Sequence, residues 1–163
     1  MKSLLIVVHS RTGGTRQMAE AAAEAARAEA GVEVKLVDAR DADAGDVLTA
    51  DGYIFASPEN LASLAGVMKD FFDRTYYPVL DRVAGRPYAS LICAGSDGTG
   101  AVRQIDRIAT GWRLRAIADP VIVITQAQTP EAILAPKHIA EADLDRCRDL
   151  GLSLATGLAL GIY

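Results

Sequence analysis

Three hydroxyl side chains and two adjacent glycines occupy one short stretch of the chain, Ser10-Arg11-Thr12-Gly13-Gly14-Thr15. Hydroxyl groups and the backbone N–H groups of a glycine-rich turn are neutral hydrogen-bond donors, and such donors hold phosphate groups. A helix that begins near Thr15 would add unpaired amides and the positive end of its dipole. The stretch therefore predicts a phosphate cradle. The alternative is a capped turn, in which Thr15 caps the helix and the glycines supply positive φ angles.

Other phosphate-binding patterns do not fit this stretch. A nucleotide-hydrolysing loop needs the sequence G-x-x-x-x-G-K-[ST], and Arg16 does not supply its lysine. A dinucleotide-binding fold needs G-x-G-x-x-G, a spacing that Gly13-Gly14 does not have. A phospho-receiver domain needs acidic residues after its first strand and an aspartate after its third, where this chain has His9-Ser10 and Ser57-Pro58. A monophosphate site built from hydroxyl groups remains.

Composition narrows the function classes further. The chain has 163 residues, a formal net charge of -4 and 50% hydrophobic residues, a balance typical of one globular domain spanning residues 1–163. The mild negative charge argues against nucleic-acid partners, and no apolar run approaches the ~20 residues that span a bilayer. We expect no signal peptide, no metal site and a cytoplasmic protein, with Cys93 and Cys147 as free thiols.

The elements that would position the loop alternate between strand and helix. Apolar or alternating runs predict five strands, at residues 4–8, 32–37, 53–56, 89–94 and 121–125. We expect Ser57-Pro58 to stop the third strand. Apolar periodicity and helix-forming composition predict helices at about residues 15–30, 42–49, 61–76 and 141–160, and one through Ile105, Ile108 and Trp112.

This alternation predicts an α/β fold with a doubly wound parallel sheet and helices on both of its faces. In such sheets, ligands bind beyond the carboxyl ends of the strands, where the strand order reverses. The turns after strands one, three and four are therefore the places to look for a site. All three are unusual in this chain, because they hold the hydroxyl-rich stretch, Ser57-Pro58-Glu59-Asn60 and Gly95-Ser96-Asp97-Gly98-Thr99-Gly100.

These turns carry a resemblance to a known family. The pattern Ser10-x-Thr12-Gly13-x-Thr15 resembles the phosphate loop of flavodoxin-like proteins, which hold the phosphate of flavin mononucleotide (FMN). The Ser57-Pro58 turn and the later Lys69-x-Phe71-x-Asp73 stretch resemble the branch of NAD(P)H-dependent FMN reductases and quinone reductases. The turn at Gly95 lies where that family has its third flavin-contacting loop. The resemblance covers nearly the whole chain in order and length.

The resemblance implies a three-layer sheet of strand order 2-1-3-4-5 and an FMN site with three parts. The phosphate would be bound by Ser10, Arg11, Thr12, Gly13, Gly14 and Thr15. The edge of the isoalloxazine ring would lie along Ser57, Pro58, Glu59 and Asn60. Backbone N–H groups would face the pyrimidine side of the flavin from Gly95, Ser96, Asp97 and Gly98. No catalytic side chain is implied, because hydride passes directly to the flavin N5.

The implied activity is transfer of hydride from NADH or NADPH, through FMN, to a quinone, a flavin or a similar acceptor. No aromatic residue lies between Phe55 and Phe71 or between Ala94 and Gly111, so at least one face of the ring would be open to substrates. An electron-carrying flavodoxin and a flavodoxin-fold interaction module without flavin are the alternatives. We expect Glu59 to point to solvent or to pair with a cation, and we expect a homodimer or homotetramer.

Overall fold

The computed structural model describes residues 1–163 and contains seven strands in chain order. They are β1 (Lys2–Val8), β2 (Val32–Asp38), β3 (Gly52–Asn60), β4 (Ser63–Leu64), β5 (Pro87–Ala94), β6 (Arg115–Ala116) and β7 (Val121–Ile124). All pairings are parallel except that of the short β4, which folds back against the end of β3. The strand order is β2-β1-β3-β5, and both β6 and β7 pair with β5. The predicted order 2-1-3-4-5 is confirmed for the principal strands and differs in detail at this edge.

The chain forms six helices, five of which cover the two faces of the sheet. The helices are α1 (Gly14–Ala26), α2 (Ala44–Thr49), α3 (Gly66–Val79), α4 (Thr99–Gly111), α5 (Pro130–Leu134) and α6 (Glu141–Ala159). Helices α1 and α6 share one hydrophobic cluster with the sheet, and α2, α3 and α4 share the other. The residues of β1 alternate between these clusters, which explains why its sequence is apolar throughout. None of the helices combines the length and apolarity needed to cross a membrane.

The predicted end of the third strand is wrong. Strand β3 continues to Asn60, and Pro58 pairs in register with Cys93 of β5. Leu61 and Ala62 then form a tight turn into β4, with φ angles of 51° and 59°. The side chain of Leu61 is 100% exposed, so the apolar spacing that suggested a helix from residue 61 reflects a hairpin tip.

The third helix accordingly begins at Gly66 and not at Leu61. Its apolar face is otherwise as predicted, because Met68, Phe71 and Thr75 are buried. Trp112 directly follows the fourth helix and is buried in the core, where its indole N–H donates to the carbonyl of Tyr76 at 3.0 Å. Three short elements were not predicted from the sequence, namely strands β4 and β6 and helix α5, which begins at Pro130 within a stretch interpreted as loop.

Candidate functional site

A cavity of about 90 Å³ opens at the carboxyl ends of β1, β3 and β5. Nine of the residues predicted from the sequence line it, and they come from all three of the predicted turns: Ser10, Arg11, Thr12, Gly14, Thr15, Pro58, Glu59, Asn60 and Gly95. The structure therefore brings together turns that are far apart in the chain. Five predicted residues lie outside the lining: Gly13, Ser57, Ser96, Asp97 and Gly98.

The turn after β1 presents its donors to this cavity. Gly13 precedes α1 in the left-handed region, with a φ of 94°, and no side chain caps the helix. The Gly13 N–H donates to Ser10 Oγ at 3.1 Å, whereas the N–H groups of Thr12, Gly14 and Thr15 donate to no protein atom. Thr15 therefore lies in the first turn of α1 and is not its cap. Of the capped-turn alternative, the cap at Thr15 is wrong, whereas the positive φ at a glycine is confirmed at Gly13.

Thr15 is the least exposed of the three hydroxyl-bearing residues in this turn. Only 2% of the residue is exposed, yet it lines the cavity and its hydroxyl makes no hydrogen bond within the protein. The only buried side-chain nitrogen or oxygen without a hydrogen-bond partner is His9 Nδ1, so the Thr15 hydroxyl keeps access to the cavity and can donate to a ligand there. The free hydroxyl and the free amides around it match the several oxygens of a phosphate group, so this donor set fits the phosphate end of FMN.

The size of the cavity decides how much of a nucleotide it can enclose. Pockets that hold a whole drug-sized ligand usually measure about 300–1,000 Å³, and this one measures about 90 Å³. It can therefore enclose only the phosphate end of FMN. A flavin ring would extend outward between the turns after β3 and β5, past Pro58, Asn60 and Gly95.

The turn after β3 is fixed by its own side chains. The buried hydroxyl of Ser57 donates to the carbonyl of Pro58 at 2.9 Å and accepts from the Ala65 N–H at 3.4 Å. Ser57 thus connects β3 to the start of α3 and does not face the cavity. Pro58 is partly buried and Asn60 is exposed at the end of the strand, so the edge that β3 offers to a ligand lies at these two residues and at Glu59.

Glu59 joins the second turn to the third. Its carboxylate accepts from the N–H of Gly98 at 2.9 Å and from the N–H of Ala101 at 3.1 Å, in the first turn of α4. Sequence reasoning expected this carboxylate to face solvent or a cation, and that expectation is wrong. A helix N-terminus has unpaired amides and a partial positive charge, and both attract a carboxylate. The Gly98 N–H is consequently not available to a flavin.

The turn after β5 keeps other donors free. The N–H groups of Gly95, Ser96 and Asp97 donate to no protein atom, and Ser96 and Asp97 are exposed. The Asp97 carboxylate accepts from the hydroxyl of Thr99 at 2.8 Å. A Cβ on Gly95 would lie 2.8 Å from the carbonyl oxygen of Ala127, so glycine is required there by the chain that follows β7.

That chain, residues 126–139, is a fourth wall of the site, and we call it the strap. The Lys137 N–H donates to the carbonyl of Thr12 at 2.8 Å. The Gln17 amide donates to the carbonyls of Gly13 and Lys137 and accepts from the N–H of Ile139. The strap is thereby fixed to the turn after β1, and it adds three side chains to the cavity lining, those of Ile133, Leu134 and Lys137.

Sequence reasoning missed the strap, although one signal was available. A segment that follows a parallel strand opens on the same edge of the sheet as the other ligand-binding turns. The chain after the last predicted strand met that condition, but it has neither a glycine-rich turn nor a hydroxyl pattern. Nothing local in the sequence indicates that Lys137 returns to Thr12 across 125 residues.

Two titratable side chains lie beside the cradle. His9 is 5% exposed, its Nδ1 has no hydrogen-bond partner, and burial, followed by the charge of Arg40, lowers its pKa below the usual value. Burial raises the pKa of the Cys93 thiol, so the protonated form is favoured. The Cys93 sulfur packs so closely against Gly14 that a Cβ there would lie 2.7 Å from it. Both cysteines are free and buried, and Cys93 also lines the cavity.

Comparison with known proteins agrees with this geometry. A family model described as NADPH-dependent FMN reductase matches residues 44–129. A flavodoxin from Aquifex aeolicus (strain VF5) is 32% identical over 168 residues, covering 98% of this chain and 89% of that protein. An NAD(P)H dehydrogenase (quinone) from Acidithiobacillus ferrooxidans (strain ATCC 53993 / BNL-5-31) is 33% identical over 95 residues, covering 46% of this chain and 48% of that protein.

Among solved structures, a flavodoxin from the domain Archaea matches with a TM-score of 0.76 at 22% identity, covering 97% of this chain and 99% of that chain. This match confirms the predicted flavodoxin-like fold. The family model covers the turns after β3 and β5, but the cradle at residues 10–15 and Lys137 lie outside the matched residues.

Proposed function

We propose that this chain, which belongs to the NADPH-dependent FMN reductase family, binds FMN with its phosphate in the turn after β1 and uses it to pass electron pairs from NADH or NADPH to an acceptor. The observation that carries the proposal is the hydroxyl of Thr15, which reaches the cavity from a nearly buried residue, has no partner in the protein and lies among free backbone amides. A neutral donor set of this kind suits an oxyanion that carries its own charge.

FMN, when bound, supplies the redox chemistry, since its N5 accepts a hydride and the reduced ring returns the electrons. The residues of this chain bind the cofactor and orient its ring. Ser10, Thr12 and Thr15 hold the phosphate, while Pro58 and Asn60 limit the ring on one side. The free amides of Gly95, Ser96 and Asp97 lie at the opposite turn, where they favour negative charge on a reduced ring. None of these roles requires a side-chain acid or base.

The composition of the cavity wall favours a reductase that handles two substrates in turn. None of the 15 residues that line the cavity is aromatic, and the turns after β3 and β5, between which the ring would extend, contain no aromatic residue either. An uncovered ring face would let a nicotinamide and then an acceptor lie against the flavin. Ile133 and Leu134, both exposed, supply an apolar border without closing the site.

Spectroscopy of the purified chain tests the proposal. Reconstituted with FMN, the chain should be yellow, should be bleached under nitrogen by NADH or NADPH, and should regain its colour when a soluble quinone or free flavin is added. The same titration ranks the two nucleotides and the two acceptors. A chain that binds FMN but oxidises neither nucleotide would overturn the reductase assignment while leaving the cofactor assignment in place.

A flavodoxin-type electron carrier is the second candidate, because the Aquifex aeolicus flavodoxin is similar along nearly the whole chain. A carrier exchanges single electrons with protein partners. Reduction by dithionite should then proceed in two separate one-electron stages, with no direct reaction with NADH or NADPH. A colourless chain that leaves the fluorescence of added FMN unchanged would instead indicate an interaction module without flavin.

We further propose a small-molecule acceptor and assembly into a homodimer or homotetramer. The aromatic pair at the end of α3 is divided between the core and the surface. Tyr76 stacks on Trp112 with ring centroids 5.9 Å apart, whereas Tyr77 is 78% exposed and available to a second copy. Sedimentation equilibrium of wild type and Tyr77→Ser tests the assembly, which the substitution should weaken.

A further inference from the structure

One cation of the strap lies at the cradle without a negative partner. The Lys137 ammonium donates to the carbonyl oxygens of Ala132 at 2.8 Å, Ile133 at 2.9 Å and Ala135 at 2.6 Å. It also lies 3.5 Å from the hydroxyl oxygen of Thr12. No carboxylate forms an ion pair with it, and the same is true of seven of the other 16 lysines and arginines, whereas the remaining nine form ten ion pairs.

The position of this ammonium is fixed from both sides. Lys137 is partly buried, its main chain is bonded to Thr12, and the Gln17 side chain holds its carbonyl. The carbonyls that accept from the ammonium belong to the end of α5 and the residues that follow it, so they are neutral groups. These carbonyls take up the three N–H donors of the ammonium, but none of them carries a full negative charge, so an anion placed nearby would still be attracted to it.

The cradle offers the place for that anion. The free amides of Thr12, Gly14 and Thr15 and the hydroxyl of Thr15 line the same cavity as Lys137. A phosphate group among these donors would lie next to the Thr12 hydroxyl, and therefore next to the ammonium. Arg11 also lines the cavity, but it is exposed and has no hydrogen bond that would hold it in place.

We infer that the positive charge of Lys137 attracts the phosphate of FMN and thereby makes the site selective for FMN over riboflavin, which has the same ring and no phosphate. The inference rests on the proposed function. A second consequence concerns the strap. Since the ammonium donates to three strap carbonyls, its attraction to the bound phosphate would hold the strap against the turn after β1, with Ile133 and Leu134 kept at the cavity.

A purely structural role for Lys137 makes a different prediction. If the ammonium only fastens the end of α5, its loss would disturb the strap and weaken FMN and riboflavin equally. If it attracts the phosphate, its loss would weaken FMN alone. The ratio of the two affinities therefore separates the roles, and it does not depend on catalytic activity.

The experiment is a fluorescence titration of the flavin-free chain with FMN and with riboflavin, at two salt concentrations. Wild type is compared with Lys137→Met and with Lys2→Met, which removes the same charge from the opposite end of β1, where Lys2 pairs with Asp51. We expect Lys137→Met to bind FMN about 10- to 100-fold more weakly and riboflavin as wild type does. Lys2→Met should bind both flavins normally.

The salt dependence of flavin binding is a second measurement, which begins with wild type. Added salt should weaken FMN binding to wild type and leave riboflavin binding unchanged, because only the phosphate is charged. In Lys137→Gln, which keeps a donor for the strap carbonyls but has no charge, this salt dependence should be smaller. Thermal unfolding of each variant establishes whether it is folded. The salt dependence of FMN binding to wild type can be measured even if a variant does not fold.

Each outcome decides between the roles. Equal losses for the two flavins in Lys137→Met, or FMN binding that remains as tight as in wild type, would overturn the phosphate assignment of Lys137 and leave the proposed function standing. Wild-type protein that binds neither flavin would overturn the proposed function, and the assignment of Lys137 with it. Wild type that binds FMN more tightly than riboflavin, together with loss of this preference in Lys137→Met and Lys137→Gln, supports the proposed function and the assignment of Lys137.

Discussion

The carboxylate of Glu59 accepts a hydrogen bond from the N–H of Gly98 at 2.9 Å, so a residue at the end of β3 caps the helix that follows β5. The same carboxylate also accepts from the N–H of Ala101, so it is bonded to two backbone amides at the start of α4. The turns expected to flank the flavin ring are therefore held at a fixed separation by one side chain. Glycine at residue 100 lets the chain after β3 approach α4, because a Cβ there would lie 2.1 Å from the carbonyl oxygen of Ala62 and 3.3 Å from a carboxylate oxygen of Glu59.

The first prediction concerns this cap. Glu59→Ala should lower the free energy of unfolding by about 1–2 kcal/mol, because two amides of the first turn of α4 lose their acceptor and the helix dipole loses a charge. Glu59→Gln keeps one acceptor oxygen and should lose less. Urea denaturation measures both. Glu20→Ala, at an exposed position of α1, is the control, and equal stability of Glu59→Ala and the control would contradict the capping role.

The second prediction concerns the hydroxyl of Thr15. Thr15→Val keeps the shape of the side chain and removes the donor, so FMN binding should weaken by about 10- to 100-fold while the free energy of unfolding barely changes. Isothermal titration calorimetry and urea denaturation report the two quantities. The control is Thr75→Val on α3, a residue that is also buried but whose hydroxyl donates to the Phe71 carbonyl. It should leave FMN affinity as it is. Unaltered affinity in Thr15→Val would place the phosphate elsewhere.

The third prediction concerns the close contact beneath the cradle. Gly14→Ala would place a Cβ 2.7 Å from the Cys93 sulfur and 3.3 Å from the Lys137 Cβ, so we expect a loss of about 1–3 kcal/mol in stability. Removing the sulfur should make room. A double-mutant cycle with Cys93→Ala should therefore show that the pair of substitutions costs less than the sum of the single ones.

Gly66→Ala is the control for that cycle, since nothing lies within 4 Å of the added carbon. Strictly additive effects of Gly14→Ala and Cys93→Ala would mean that the sulfur does not determine the need for glycine at residue 14.

The fourth prediction concerns pH. Burial and the charge of Arg40 lower the pKa of His9, so the folded protein keeps this imidazole neutral where the unfolded chain takes up a proton. Stability should thus be unaffected by His9 above about pH 6.5 and should decrease as the pH falls below that value. In His9→Phe the fall in melting temperature between about pH 7 and pH 5 should be shallower than in wild type. The exposed His138, changed to Phe, is the control, and parallel curves for wild type and His9→Phe would contradict this account.

The sheet was predictable because its signals are local. The run Leu4-Leu5-Ile6-Val7 is buried on both faces, and such a strand must be apolar at every position. The turn after β1 was predictable for the same reason, since its hydroxyls and glycines lie within six residues. The alternation of strand and helix then determined which turns share an edge of the sheet.

The remaining features depend on contacts between distant residues. A helix that starts at Leu61 and a hairpin tip with Leu61 in the left-handed region both fit the local spacing. The contacts that Glu59 and Ala62 make with α4 select the hairpin. The partner of Glu59 is 39 residues away, and that of Lys137 is 125 residues away. Periodicity and composition carry no information about such pairs, so the cap and the strap appear only in the structure.

The central claim, that the turn after β1 holds the phosphate of FMN, is tested most directly by a crystal structure of the chain with FMN bound. We predict phosphate oxygens within about 3.5 Å of the Thr15 hydroxyl and of the amides of Gly14 and Thr15. A flavin bound with its phosphate in solvent or at another edge of the sheet, with the Thr15 hydroxyl still unpartnered, would contradict the claim.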